Sequence, residues 1–466
     1  MSIEDRLYPL RRLYEGAPQA IKSTIGLAYR HLPIGWRHGK NFGRFAKEAI
    51  ESESWSKEAQ IAYQTEAVKR SLRAAAECPY YQRRFLEHGV DPLQFEDLSE
   101  LVKYPLLSKE DLIFHREAML NQRIAASSRL YMSTGGSSGV PVGFYLHKGV
   151  SRAKEQAYLE AQWRRRGYQP GDPTAVIRGA VTSRVSDGSV CYYDASRNWL
   201  VLSSYHLNRE RFPEYLRALN RFKPKHLHAY PSAALALARE MLERNAKLEF
   251  QFASILCGSE KLSPESQKFL ETHFDAPVFH WYGHSERVVL AGQGRSSNHL
   301  YFWPGYGYVE FGPPNETSHR EIIGTSFHND VMPLIRYRTG DYVKMPDELE
   351  GELPMTEVGD VVGREYEFLL SDQHRRVSLT AINMHDDLFE GLLAVQFFQA
   401  SPGLVEFRFQ PGLSWKPRRL DTIREGLKAK LGEDFEIKLV EVKEVQKTAA
   451  GKHCWLLSQL GTEVTG

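Results

Sequence analysis

Cysteine is scarce in this chain: four in 466 residues. Cys78, Cys191, Cys257 and Cys454 stand 113, 66 and 197 residues apart. That spacing excludes a disulfide scaffold, a zinc knuckle and a C-x-x-C redox pair, and it points to a reducing, cytoplasmic setting. Long apolar runs are missing too. No stretch reaches the roughly eighteen apolar residues of a membrane span, and the opening MSIEDRLYPLRRLYEG carries charges where a secretory signal needs an apolar core. Charge of one sign is nearly absent: 60 Lys and Arg against 58 Asp and Glu leave +2. A protein whose main partner is nucleic acid carries a larger basic excess. There is no internal repeat and no low-complexity stretch.

What remains is ordinary globular material, 42% apolar and 25% charged, long enough for about three lobes at about 150 residues each. The first fifty residues concentrate positive charge, with Arg6, Arg11, Arg12, Lys22, Arg30, Arg37, Lys40, Arg44 and Lys47 against Glu4, Asp5, Glu15 and Glu48. The expected reading is an amphipathic helix packed on its own domain. The alternative is a weak peripheral contact with anionic lipid.

Apolar residues at three- and four-residue spacing predict helix over 55–92, ending at Pro79 and the pair Tyr80–Tyr81. Ser108, followed by Glu110 and Asp111, reads as a helix N-cap. RLYMS and VGFYLHK read as strands around a glycine-rich loop, and a long helix follows from Ser151 to Arg166. After Pro173, AVIRGAV, LHAY, ASILCGS and PVFHWYG read as strands separated by helices. That alternation predicts α/β architecture with mainly parallel pairing. Residues 301–345 turn β-rich, and the last hundred residues hold strands and one helix of their own.

Four clusters can carry chemistry. The loop Ser133–Thr134–Gly135–Gly136–Ser137–Ser138–Gly139 offers amides and hydroxyls of the kind a triphosphate needs. It is not a Walker loop, because Val140 and Pro141 follow the last glycine. The bland reading is a hairpin loop. His280–Trp281–Tyr282–Gly283–His284–Ser285–Glu286 ends an apparent strand; Glu286 suits Mg²⁺ and Tyr282 can stack on a flat ring. A transition-metal set of His280, His284 and Glu286 is the competing reading. In Arg336–Tyr337–Arg338–Thr339–Gly340–Asp341, the carboxylate of Asp341 can accept from a vicinal diol, against an Asx turn between two strands. Thr448–Ala449–Ala450–Gly451–Lys452 puts a lysine on a small-residue loop, where it is either a movable cation or a solvated one.

In this order the four clusters resemble the adenylate-forming (ANL) superfamily of acyl-CoA synthetases, luciferases and adenylation domains, over about residue 55 to the end. The W-S-x-E opening near Trp55, C-P-Y-Y-Q-R-R-F, P-L-L-S-K-E-D and Y-G-Y-V-E-F resemble the phenylacetate–CoA ligase branch, and its CapK-type capsular polysaccharide proteins in particular. The resemblance implies an α/β fold: a large N-terminal adenylate-forming domain plus a small mobile α+β C-terminal domain. The boundaries it implies are a basic helical extension at 1–54, an ATP- and carboxylate-binding domain at 55–363, and a lid at 364–466 with its hinge after Gly363–Arg364, near Glu367.

It also implies roles. Thr134–Gly139 would cradle the phosphates of ATP. Tyr282, with Gly283 beside it, would flank the adenine, and Gly258–Ser259–Glu260 would form another wall. Ser285 would contact phosphate, Glu286 would hold Mg²⁺, Asp341 and Arg364 would grip the ribose, and Lys452 would bridge carboxylate and α-phosphate. Tyr205, His206, Tyr230, Pro231, Ser232 and Trp281 flank predicted strand ends and are the acyl-pocket candidates; their character suits a small polar or aromatic acid. The implied enzyme is an ATP-dependent ligase that makes an acyl-AMP and passes the acyl group to CoA or to an amine, in surface polysaccharide biosynthesis. The alternative is a non-catalytic, membrane-peripheral scaffold of a polysaccharide assembly complex. Two departures stand out: FLLSDQHRRVSLTAINMHD replaces the usual Lys-rich strand after the hinge, and His453–Cys454 follow Lys452.

Overall fold

The computed structural model describes residues 17–133, 142–178, 189–204, 207, 209–294, 299–315, 318–345, 356–364, 368–372, 376–378, 392–412, 415–447 and 454–460, with Ile34, Ser133, Thr356, Val362, Gly363, Arg364, Phe368, Arg376, Ser378 and Ala429 described by backbone only. Its contacts fall into two compact units. Unit 1 comprises Met1–Gly171, Asp194–Arg197 and Phe279–Val362; unit 2 comprises Asp172–Tyr193, Asn198–Val278 and Gly363–Gly466.

Unit 1 opens with helices. Ser56 caps the helix Lys57–Ala75 by accepting from Ala59 N–H at 3.3 Å. That helix stops at Ala75, and Pro79 begins a second one, Pro79–Glu87, instead of ending the first. The reason is local: proline lacks an N–H that the first helical turn does not use, and its fixed φ suits that position. Ser108 caps Lys109–His115 in a capping box, taking Asp111 N–H at 3.1 Å while the Asp111 carboxylate accepts from Ser108 N–H at 2.8 Å. The helix Gln19–Arg30 departs from expectation, for it turns Lys22 and Gly26 inward and leaves Ile21 and Ile25 exposed. A Cβ at Gly26 would meet Ser196 N at 2.7 Å, so the backbone itself packs there.

With strands numbered along the chain, β1 (Arg129–Ser133) and β2 (Gly143–His147) form an antiparallel pair with Ser133 opposite Gly143. The Thr134–Gly139 loop lies between them, outside the described residues. Unit 1 also holds β8 (Val278–Gly283), β9 (Leu290–Gln293), β10 (Leu300–Phe302) and β14 (Thr356–Val358), ordered β14-β10-β9-β8 and antiparallel throughout. The β8–β9 and β9–β10 links are too short for a crossover, so these strands pair antiparallel, beyond the parallel run expected after Pro173. A further sheet runs β11 (Gly307–Pro314), β12 (Arg320–Ser326), β13 (Tyr337–Lys344), β15 (Asp360–Arg364). One apolar core, including Leu72, Tyr81, Leu112, Phe144, Phe302, Ile322 and Ile335, backs these elements.

Unit 2 carries the parallel strands. β3 (Thr174–Ile177), β5 (Trp199–Leu202), β6 (His226–Ala229) and β7 (Ser254–Gly258) lie in the order β7-β6-β3-β5, with β4 (Cys191–Asp194) at the edge. Helices Phe212–Phe222 and Pro231–Glu243 connect β5 to β6 and β6 to β7, and Pro264–Phe274 follows β7. Buried His226 pins the strand starts: Nε2 lies 3.0 Å from Asp172 Oδ2 and Nδ1 2.8 Å from Ser254 Oγ. This set has the membership of a hydrolytic triad, but His226 and Ser254 are fully buried and serve as a staple.

The last segment adds the pair β16 (Phe368–Leu370) and β17 (Arg376–Ser378). It also holds a sheet ordered β20 (Glu436–Glu441), β19 (Leu404–Pro411), β18 (Leu392–Ser401), β21 (Leu456–Ser458). The helix Arg419–Leu431 lays Ile423, Leu427 and Leu431 on Phe397 and Phe407, giving the segment its own core. The grouping of contacts changes between Val362 and Gly363, inside β15. Within unit 2, Arg239 Nη1 donates to Leu393 O at 2.7 Å, and Lys447 Nζ donates to Ser204 O.

Candidate active site

In unit 1, β8 delivers Trp281, Tyr282 and Gly283 and then breaks into a tight turn. Arg287 N–H closes that turn on His284 O at 3.0 Å, with Arg287 at φ +55. A non-glycine residue held at positive φ costs about 1–3 kcal/mol and persists only where its surroundings over-determine it. The turn leaves Ser285 exposed and folds Glu286 inward to 8% exposure. Glu286 Oε1 accepts from the Tyr337 hydroxyl at 2.9 Å, and Oε2 lies 3.1 Å from His284 Nδ1. Burial alone would raise this carboxyl. The hydrogen bond and charge of His284, a backbone N–H and the Tyr337 hydroxyl outweigh it and hold the group down at about 2. Glu286 is therefore an anion at any physiological pH.

Tyr337 is set in place by backbone: Leu107 N–H donates to Arg336 O at 3.1 Å, and Arg338 N–H donates to Leu107 O at 2.9 Å. Further along the same strand, pairing with β12 shifts register between Glu321 and Ile323, and Gly340 takes φ +72. The glycine thus marks a bulge inside β13, not a turn between two strands, and the bulge re-aims Asp341. Asp341 is 9% exposed; its Oδ2 accepts from the Tyr282 hydroxyl at 2.7 Å, and its N–H donates to Thr339 Oγ1 at 3.1 Å. Burial, then the Asp341 charge, pushes the Tyr282 hydroxyl well above its ordinary range, so it stays a donor. Two buried carboxylates, each held by a tyrosine hydroxyl, thus stand at the end of β8 and on β13.

Trp281 is packed in the interior, edge-to-face on Trp163 at 5.5 Å. His280 is buried, with its N–H donating to Gln293 Oε1 at 2.7 Å. Among the described residues no group of three His, Cys, Asp or Glu side chains can hold a metal, so His280, His284 and Glu286 do not form a transition-metal set. A carboxylate held ionised, as Glu286 is, is the donor type that suits Mg²⁺, which is commonly bound through one or two carboxylates, waters and substrate phosphates.

In unit 2 the candidates gather where the parallel strands end, the side on which open α/β sheets bind ligands. Gly258 closes β7 and Ser259 follows at φ +70. Arg178, just past β3, donates from Nη2 to Ser259 Oγ, sits 2.6 Å from His228 Nε2 through Nη1, and lies over the Tyr230 ring at 5.0 Å. Glu260 accepts from Ser232 N–H at 2.9 Å and from its hydroxyl at 3.1 Å. Burial lowers the Lys447 ammonium, while Glu444 and Glu260 oppose that shift.

The sequence did not single out Tyr337 as the partner of Glu286, nor Arg178 and His228 beside Ser259 and Tyr230. Tyr337 lay within a cluster already in view, whereas Arg178 gave no signal beyond its place at a strand end. Thr134–Gly139, Tyr205, His206, Glu367, Lys452 and the side chains of Ser133 and Arg364 lie outside the described residues.

No family model matches the chain. It is similar to protein CapK of Staphylococcus aureus, 24% identical over 377 residues, spanning 78% of this chain and 81% of CapK. It is also similar to phenylacetate-coenzyme A ligase of Escherichia coli (strain K12), 25% identical over 304 residues, spanning 61% of this chain and 67% of the ligase. Its fold is similar to a crystal structure of 2-hydroxyisobutyryl-CoA ligase in the postadenylation state with R3-HIB-AMP: TM-score 0.68 at 16% identity, covering 89% of this chain and 92% of that one. By sequence the chain is similar to CapK and the phenylacetate–coenzyme A ligases, and its fold is that of an adenylate-forming CoA ligase.

Proposed function

We propose that the protein activates a small carboxylic acid with ATP and passes the acyl group to coenzyme A. A carboxylate oxygen attacks the α-phosphorus, forming an acyl–phosphate anhydride and expelling pyrophosphate. A thiolate sulfur then attacks the acyl carbon, and AMP leaves. The observation that carries this reading is the pair of tyrosine-held carboxylates in unit 1, Asp341 with Tyr282 and Glu286 with Tyr337. In the first step two anions meet, so the protein's work is positioning and charge stabilisation, with little covalent chemistry of its own.

In this reading Asp341 accepts from the ribose hydroxyls, Tyr282 flanks the adenine with Gly283, and Ser285 donates to phosphate. Glu286 holds Mg²⁺, which supplies charge neutralisation at the phosphates. Gly258, Ser259 and Glu260 contact the nucleotide, and Ser133–Gly139, Arg364 and Lys452 have the roles the family resemblance gives them. We take 55–363 as the substrate-binding domain and 364–466 as the lid. For the acyl group we favour a small polar or aromatic acid over a fatty chain, because Tyr230 and Ser232 stand among Arg178, His228, Ser259 and Glu260. Likeness to CapK supports a setting in surface polysaccharide assembly, where an amine on a sugar is the alternative acceptor. The non-catalytic scaffold is not favoured, since it leaves the two ordered carboxylate pairs without a purpose.

AMP release tests the acceptor. With ATP, Mg²⁺ and an accepted acid, release should accelerate on adding coenzyme A and yield the thioester by mass spectrometry. Release indifferent to coenzyme A but accelerated by an amine would overturn the thiol half of the reading.

A further inference from the structure

The helix Gln19–Arg30 is built inside out. Its inward positions include Lys22, 8% exposed, and Gly26, whereas Ile21 is 50% exposed and Ile25 49%. At 3.6 residues per turn, Ala20, Ile21, Thr24, Ile25, Leu27 and Ala28 fall within one arc of about 160°, and all six are exposed. None is charged, and the one hydroxyl among them, on Thr24, is turned back onto Ala20 O at 3.0 Å. The next helix, Ile34–His38, presents Trp36 at 63% exposure, the most exposed of the large aromatic side chains described in this segment.

Charge says what would cover this face. From Ala17 to Lys47 the chain holds Lys22, Arg30, Arg37, Lys40, Arg44 and Lys47 and not one Asp or Glu. Lys40, Arg44 and Lys47 are exposed, and Arg30 and Arg37 are half-buried. An uncharged stripe, an exposed tryptophan on the next helix and a stretch of chain whose only charges are basic are the combination by which a helix lies in the headgroup region of an anionic bilayer. We propose that Gln19–Arg30 and Trp36 form a docking face for an anionic lipid surface. The apolar arc enters the headgroup boundary, the tryptophan sits at the interface, and Lys40, Arg44 and Lys47 reach the lipid phosphates. Binding of this kind is reversible and weakens with salt. It would hold a ligase beside a substrate or acceptor carried on lipid, though it requires nothing of the reaction.

The test is sedimentation of the full chain with vesicles of phosphatidylglycerol and phosphatidylcholine, and with vesicles of phosphatidylcholine alone, without ATP or any acid. The expected result is co-sedimentation with the anionic vesicles at low salt and about tenfold weaker binding on the neutral ones or in high salt. Ile25→Ser with Trp36→Ala should lower anionic binding about tenfold, and Lys40→Gln with Arg44→Gln should lower it too, with far-UV circular dichroism unchanged in both. Failure to pellet, pelleting indifferent to lipid charge, or variants that bind like the parent would overturn the proposal. So would a dimer in analytical ultracentrifugation that Trp36→Ala dissolves without any vesicle binding, because a second copy would then cover the face. The readout needs no catalysis, so it fails or succeeds apart from the proposed reaction.

Discussion

Asp341 is the residue whose loss can be worked through most fully. Asp341→Ala removes a carboxylate that is 9% exposed and holds the Tyr282 hydroxyl at 2.7 Å, and that in the proposed function accepts from two ribose hydroxyls. A hydrogen bond to a charged group contributes about 1.5–3 kcal/mol, and water in the vacated space recovers part of what two such bonds supply. The net loss in ATP binding should be about 2–3 kcal/mol, roughly 30- to 150-fold in Kd. Tyr282→Phe keeps the carboxylate and removes only its tyrosine partner, so its cost should be near 1 kcal/mol, roughly fivefold. The two share one hydrogen bond, so the double variant should fall short of the sum by about 0.5–1 kcal/mol. Isothermal titration of ATP with Mg²⁺ into the four proteins measures all of this. ATP binding by Asp341→Ala within threefold of the parent would remove Asp341 from the nucleotide site. Strict additivity would mean that the 2.7 Å contact carries no coupling.

Three further outcomes are expected. Glu286→Gln keeps the shape of a side chain hydrogen-bonded to Tyr337 but removes its charge, so the Mg²⁺ midpoint of the adenylation half-reaction should rise at least tenfold; an unchanged midpoint would take Glu286 out of the metal site. Lys452→Ala should abolish acyl-adenylate formation and leave transfer from supplied acyl-AMP intact, and loss of both steps would sink a lysine specific to the first. Lys154 is fully buried, with Nζ donating to Tyr306 O at 2.8 Å and Phe327 O at 3.0 Å, and burial pushes its ammonium down to about 7. Between that value and the ordinary lysine range the unfolded chain binds a proton the folded chain lacks, so stability should rise with pH from 7 to 9. Lys154→Met should flatten that rise in thermal melts, and an identical slope in both proteins would refute the assignment.

What the sequence made legible was local. Ser108 and Asp111 announce a helix start because a capping box is a four-residue device, and strands β1 and β2 were visible on either side of their glycine-rich loop. The parallel strands of unit 2 followed from alternation with helices, but the antiparallel run β8–β9–β10 did not, because PVFHWYG carries no mark of its neighbours. Pairing across distance was the other gap. Tyr337 reaches Glu286 across 51 residues and Arg178 reaches Ser259 across 81, and no periodicity encodes such a meeting. From sequence Gly340 reads as a turn, because a glycine at positive φ serves turns and bulges alike and only the register of β12 against β13 separates them. The inside-out helix at Gln19–Arg30 was hidden for a similar reason: Gly26 draws the backbone onto residues 195–196, which lie far along the chain.

The most direct measurement is ATP–pyrophosphate exchange over a panel of small polar and aromatic carboxylic acids, run without coenzyme A. Exchange should depend on one acid class, require Mg²⁺ and disappear in Lys452→Ala. Silence across the panel, from a protein shown by titration to bind ATP, would contradict carboxylate activation as its chemistry.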